Sequence, residues 1–231
     1  MSSTDFCPQG VCDGSGWVLD DANDARPCEC REMRVSRAKG RRMGTGIPKR
    51  FQGVSFDRNP VREIDPEVLR EVRSFIVRID ERIEAGDGVW FQGDVGTGKT
   101  SLAMLISKAA LQGGHSVAIY SVPRLLADIK ETFEERTVNS YSDLFRRLCD
   151  VDLLHLDDLG AERRTDWVLE QLYSIVNERW QSRRSILVTS NLTDLNELRE
   201  QVGPRTVSRL TEICGAPIPV MGRDLRFAGS A

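Results

Sequence analysis

The eight residues Gly93, Asp94, Val95, Gly96, Thr97, Gly98, Lys99 and Thr100 constrain this chain more than any other stretch. They satisfy GxxxxGK[ST], directly after the apolar run GVWFQ at 88–92 and directly before an apolar stretch with helical spacing. A strand that ends in a glycine-rich turn and re-enters as a helix has the layout of a phosphate-binding loop. The glycines let backbone N–H groups close around phosphate oxygens, and the positive end of the following helix dipole adds to the attraction. Lys99 is expected to reach the β and γ phosphates of ATP and Thr100 to ligate Mg²⁺, with nucleotide binding extending from Gly93 through Ser101.

Such a loop needs a buried sheet to carry it, and the rest of the sequence supplies one. After GVWFQ, the apolar runs VAIYSV, VDLLHLD and SILVTSN alternate with helical stretches from Lys99 to Leu111 and around Trp167 to Trp180. A helical region with a polar break near Thr137 lies between the second and third runs. Strands that are apolar almost throughout are covered on both faces, so the expected fold class is α/β, a three-layer parallel sheet. Ahead of the sheet, Asp65 and Pro66 start an amphipathic helix in which Val68, Leu69, Val72, Phe75, Ile76, Ile79 and Ile83 recur at threes and fours until Gly86.

No stretch approaches the roughly 18 apolar residues of a spanning helix, and the polar N-terminus lacks the layout of a signal peptide. With 40% apolar and 29% charged residues, the expectation is a cytoplasmic protein with no membrane association. In that compartment its six cysteines are thiols or metal ligands rather than a disulfide framework.

A nucleoside triphosphatase also needs a carboxylate at the end of a neighbouring strand, and residues 153–158 read LLHLDD. Asp157 is the expected metal-side acid for Mg²⁺, and Asp158 is placed to orient or deprotonate the attacking water. His155, inside the apolar run, reads as a hydrogen-bonded core residue. Asn191 closes SILVTSN at the carboxyl end of a strand, where parallel sheets place their ligands; it would hold the lytic water or cap the next turn. Downstream, GPRTVSRL puts Arg205 and Arg209 four apart on one helix face, and GRDLR adds Arg223 and Arg226.

In order and spacing, GDVGTGKTSLA, LLADIKETF, VDLLHLDDLGAE, VTSN, GPRTVSRL and GRDLR resemble the AAA+ ATPases of the bacterial helicase-loader family, the group of DnaC, DnaI and the IstB transposition helpers. The resemblance runs from about residue 47 to about residue 226. It implies a P-loop AAA+ ATPase that forms a homo-oligomer through its ATP sites, binds single-stranded DNA and loads a DnaB-like replicative helicase. It implies sensor 1 for Asn191, the arginine finger for Arg209 with Arg205 as the lesser choice, and sensor 2 for Arg226. These three and Asp158 are the expected catalytic residues. DNA contact is expected at a helical insertion through Lys130, Phe133 and Arg136, with a base stacked on Phe133 and the cations along phosphates; Phe133 suits a core position equally. Asp158 stands where many AAA+ proteins have glutamate, which implies slower hydrolysis. Two alternatives stay open: an IstB-like ATPase helper of a DNA transposase, and an ATP-switched DNA-binding adaptor.

The N-terminus departs from the loaders, which carry a larger helicase-binding domain there. Residues 1–30 hold six acids against one base, net −5, whereas 31–50 hold eight bases against one acid, net +7. The expected division is a cysteine-rich zinc-binding segment at 1–32, a basic linker at 33–50 and the AAA+ domain at 51–231. The linker would touch phosphate or stay solvated. Cys7 and Cys12, then Cys28 and Cys30 after fifteen residues, suit a tetrahedral thiolate site for Zn²⁺, with unpaired thiols and a redox site as alternatives. Trp17 and Val18 are expected to pack against it. Cys149 and Cys214 read as buried thiols.

Overall fold

The computed structural model describes residues 7, 10–20, 24–31, 46–134 and 140–226. At the N-terminus β1 (Trp17–Leu19) and β2 (Ala25–Pro27) pair as an antiparallel hairpin. The basic linker lies largely outside the described residues, as do Arg136 and Thr137.

The expected long helix after Asp65 is two. α1 (Pro66–Val77) starts on Asp65, whose carboxylate accepts from the Glu67 amide, and α2 (Ile79–Ala85) follows a break at Arg78. There the Arg78 amide turns back to the Phe75 and Ile76 carbonyls, tightening the last turn of α1. Val72 and Phe75 on one segment and Ile79 and Ile83 on the other still enter the same core. The apolar period therefore continues through the break.

The main sheet contains β3 (Val89–Gln92), β4 (Val117–Ser121), β5 (Leu153–Leu159), β6 (Ser185–Ser190) and β7 (Ile218–Pro219). All are parallel, in the order β4-β5-β6-β3-β7. The helices are α3 (Lys99–Gly113), α4 (Val122–Glu134), α5 (Tyr141–Asp150), α6 (Asp166–Gln181), α7 (Leu195–Val202) and α8 (Pro204–Cys214). Successive strand side chains point to opposite faces, and this alternation builds two cores. Val89, Phe91, Leu153 and Leu187 meet α1, α2 and α3, whereas Trp90, Leu154, Leu156, Ile186 and Val188 meet α4 to α8. The three-layer α/β sheet is thus the observed architecture.

To reach β4 from β3, the chain crosses β6 and β5 through α3; it then returns toward β3 on the opposite face. The carboxyl ends of β3 and β6 consequently border the crevice where such sheets take ligands. One buried cation secures the opposite end of the sheet. Arg179 on α6 is fully buried and donates from Nη1 to the carbonyls of Leu148 (2.7 Å), Cys149 (3.2 Å) and Val151 (2.9 Å), and from Nη2 to those of Asp152 (3.2 Å) and Ser185 (2.6 Å). It pairs the last carbonyls of α5, which have no partner within that helix, and ties them to the starts of β5 and β6.

Candidate nucleotide site

The loop leaves β3 and closes on itself. Gly96 and Gly98 hold φ of 84° and 99°, a region that disfavours side chains. A Cβ at Gly96 would also run into the Asp224 carboxylate, and one at Gly98 would lie 2.6 Å from Ile64 Cδ1. Lys99 is buried, and its Nζ donates to the carbonyls of Gly93 (2.8 Å) and Asp94 (2.6 Å). Thr97 Oγ1 donates to the Asp94 carbonyl at 3.0 Å. Burial lowers the Lys99 ammonium from its ordinary value, opposed by the charges of Asp158, Asp157 and Asp94. Among the described residues no side chain caps the start of α3, so the first-turn amides of this 15-residue helix are open to an anion.

Strand register decides what faces the loop. Leu153 packs toward α3, so His155 and Asp157, two and four residues on, point the same way. His155 Nδ1 lies 2.9 Å from Ser107 Oγ on α3, as expected of a core histidine. Asp157 Oδ1 and Oδ2 accept from Thr100 Oγ1 at 3.0 and 3.3 Å. A hydroxyl and a carboxylate converging at the loop form a donor set that suits Mg²⁺. The ladder between β5 and β6 is irregular between Leu156 and Leu159, and within that interval Asp158 has φ 59°. Its carboxylate accepts from Asn191 Nδ2 at 3.2 Å, so both residues serve the same corner.

The two acids differ. Burial raises the Asp157 carboxyl, but the His155 ring, with Nε2 3.8 Å from Oδ1, and the Thr189 and Thr100 hydroxyls outweigh it and leave the group below the usual range. Asp158 is raised by burial and by the neighbouring Asp157 charge, opposed by Asn191, Lys99 and His155. Thr189 was not among the expected site residues. It donates to Asp157 Oδ1 at 2.7 Å and accepts from the Asp158 amide at 2.9 Å. Its sequence signal is a hydroxyl directly after the apolar residues Ile186, Leu187 and Val188.

Lys99, Thr100, Asp157 and Asp158 line a cleft of about 760 Å³ together with Gly96, Asn191 and Arg226, and Phe51, Val54 and Pro60 also line it. Arg226 is tied to Asp224, by Nε at 2.9 Å from Oδ1 and Nη2 at 2.5 Å from Oδ2. Arg223 pairs with Glu63 instead. Arg205 and Arg209 do not line the cleft. Arg205 lies 6.0 Å from the Tyr173 ring, while Arg209 stacks on Trp180 and pairs with Glu212 in its own chain.

At the N-terminus, hairpin pairing brings the two cysteine pairs together. The Sγ atoms of Cys7, Cys12, Cys28 and Cys30 lie within 4.8 Å of one another, with Cys7 and Cys28 at 3.8 Å and Cys12 and Cys30 at 3.5 Å. Four thiolates about 2.3 Å from a tetrahedral zinc stand about 3.8 Å apart, so the donor set fits that ion. Desolvation and the crowding sulfurs push the Cys30 thiol up to about 12, a cost that a cation relieves. Val18 packs on the cluster as expected, but alternation along β1 turns Trp17 outward, where Arg31 stacks on it at 4.0 Å. Cys149 is a buried thiol pushed up to about 12, and Cys214 Sγ donates to the Ile186 carbonyl. Phe133 is 59% exposed and stacks on Tyr141, and Lys130 lies over Trp167 at 5.1 Å. Among the described residues no helix is long and apolar enough to cross a membrane.

The sequence model of the IstB-like ATP binding protein family matches residues 25–208. The replicative helicase loader DnaC of Escherichia coli (strain K12) is 30% identical over 185 residues, 79% of this chain and 71% of the relative. A crystal structure of the DnaC helicase loader superposes with a TM-score of 0.65 at 24% identity, covering 75% of this chain and 100% of that one. A crystal structure of DnaI gives 0.63 at 23% identity, covering 79% and 95%. At these identities the structural likeness concerns the fold.

Proposed function

The chain belongs to the family of IstB-like ATP-binding proteins that includes the DnaC-type AAA+ ATPases, and from that membership we propose that it is an ATP-hydrolysing loader of a DnaB-like replicative helicase. The observation that carries the chemistry is the convergence of Lys99, Thr100, Asp157, Asp158 and Asn191 on one cleft. Lys99 would exchange the Gly93 and Asp94 carbonyls for the β and γ phosphates, where its charge offsets that of the nucleotide. Thr100 and Asp157 would hold Mg²⁺, which when bound neutralises phosphate charge. Asp158 accepts the proton of the attacking water while Asn191 fixes its carboxylate; the water oxygen bonds to the γ phosphorus and the bond to the β-phosphate oxygen breaks. Arg226 supplies a second cation from the cleft wall, and Arg209 one from the neighbouring subunit of a homo-oligomer.

Cys7, Cys12, Cys28 and Cys30 would hold a structural Zn²⁺ that folds a segment too small for a core of its own. An exposed aromatic and a cation three residues apart on α4, Phe133 and Lys130, support single-stranded DNA as a ligand. The protein would act in the cytoplasm. The family description favours a second reading, an IstB-like helper of a transposase. Purification of the tagged chain from its host with ATP present separates the two: a hexameric helicase in the eluate supports the loader, and a transposase supports the helper. Lys99→Ala should lose ATP binding, and with it ATP turnover stimulated by single-stranded DNA. Undiminished turnover in that variant would overturn the nucleotide site.

A further inference from the structure

We infer that Trp180 is a positioning residue for the reaction: it orders Arg209 for use in the ATP site of the neighbouring subunit. This rests on the reading of Arg209 as an arginine that acts in trans. The Arg209 guanidinium carbon stands 3.5 Å from the centroid of the Trp180 ring, close enough for a stacked cation–π pair. Glu212, one turn along α8, accepts from Arg209 Nη1 at 2.8 Å through Oε1 and from Trp180 Nε1 at 2.9 Å through Oε2. Trp180, Glu212 and Arg209 therefore close a ring of contacts between the last turn of α6 and the face of α8. The other candidate, Arg205, has among the described residues a ring at 6.0 Å, the limit of such attraction.

The chemistry of the guanidinium explains what the ring accomplishes. The stack engages its face and Glu212 engages Nη1, while the donors on Nε and Nη2 are claimed by neither contact. A long side chain free in solvent must be ordered before it can meet a phosphoryl group. One already laid flat on an indole has given up that freedom on folding, so less is lost in the transition state. Trp180 need not touch the nucleotide for this, and it does not line the cleft of its own chain.

The test compares Trp180→Leu with Trp180→Phe in the full chain. Both keep apolar bulk against α8, but only phenylalanine keeps a ring face for the cation. Trp180→Leu should lower kcat roughly two- to thirtyfold, the range to which a cation–π contact converts, with ATP affinity within about twofold of wild type. Trp180→Phe should recover most of the loss. Mixing Trp180→Leu with Lys99→Ala should raise turnover above the sum of the two assayed apart, because Lys99→Ala chains bring an intact Trp180–Arg209 pair to an intact loop. A purely structural defect in Trp180→Leu chains would not be relieved by mixing. Wild-type kcat in Trp180→Leu, or equal losses with Leu and Phe, overturns the inference while leaving the trans reading of Arg209 standing. If Arg209→Ala mixed with Lys99→Ala shows no recovery, the trans reading falls and this inference falls with it.

Discussion

Thr189 holds two adjacent acidic residues with one hydroxyl, which donates to the side chain of Asp157 and accepts from the backbone amide of Asp158. Thr189→Val keeps the shape but takes one hydrogen bond from Asp157, which keeps Thr100, and the acceptor from the Asp158 amide; it should cost about 1–3 kcal/mol of stability in urea unfolding and lower ATP turnover. The acids themselves should respond oppositely to neutralisation. The folded Asp158 carboxyl is raised, so stability is lost as pH climbs through its folded value, and at pH 7 the ionised group is a burden. Asp158→Asn, which tolerates the positive φ, should therefore raise the melting temperature at pH 7 while turnover falls about 10²-fold. The folded Asp157 carboxyl is depressed, so its stabilisation is present above the unfolded value and is lost as pH falls through the folded one. Asp157→Asn should lower the melting temperature at pH 7 and also impair magnesium-dependent turnover. Thermal melts of the two variants that shift in the same direction would contradict this division.

A polar group that joins several elements at once concentrates the cost of losing it. Arg179 joins the end of α5 to the starts of β5 and β6, and burial pulls its guanidinium down to about 9, still protonated at pH 7. Arg179→Leu would leave five carbonyl contacts unmade in a dry site and should cost about 3 kcal/mol or more, measured by urea unfolding. A change below about 1 kcal/mol would mean that water replaces the guanidinium there. At the opposite end of the sheet, α3 starts on a glycine without a side-chain cap, so its polar amides remain available to a ligand. The same sheet is thus closed at one end by a cation and left open at the other.

Across the whole molecule, chemistry is divided between the ATPase sheet and the cysteine hairpin. Metal analysis of protein purified without chelator should find one zinc per chain, and none in Cys28→Ser/Cys30→Ser. Chelation should unfold the hairpin while the sheet keeps its melting transition, since each has its own buried cluster. Arg209 lies off its own cleft, so if it acts in trans as proposed, turnover per chain should rise with protein concentration.

The sequence by itself determined the glycine-rich loop between strand and helix, the parallel sheet, the acids at the end of β5 and the two cysteine pairs. Each is written in covalent spacing: glycines before a helix, apolar runs between helical stretches, acids at a strand end. It also marked Asn191 and Arg226, which the fold brings to the cleft with Asp158. Only the tertiary structure decided which way β5 faces, and hence that His155 meets Ser107 and Asp157 meets Thr100 across 57 residues. The partnership of Thr189 with both acids, the hold of Asp224 on Arg226, and the bed of Trp180 and Glu212 beneath Arg209 were equally hidden. The break at Arg78 escaped notice because the apolar period runs through it. The physical reason is common to all: periodicity states which face of an element is buried, whereas the partner on that face comes from a distant part of the chain and is set by packing.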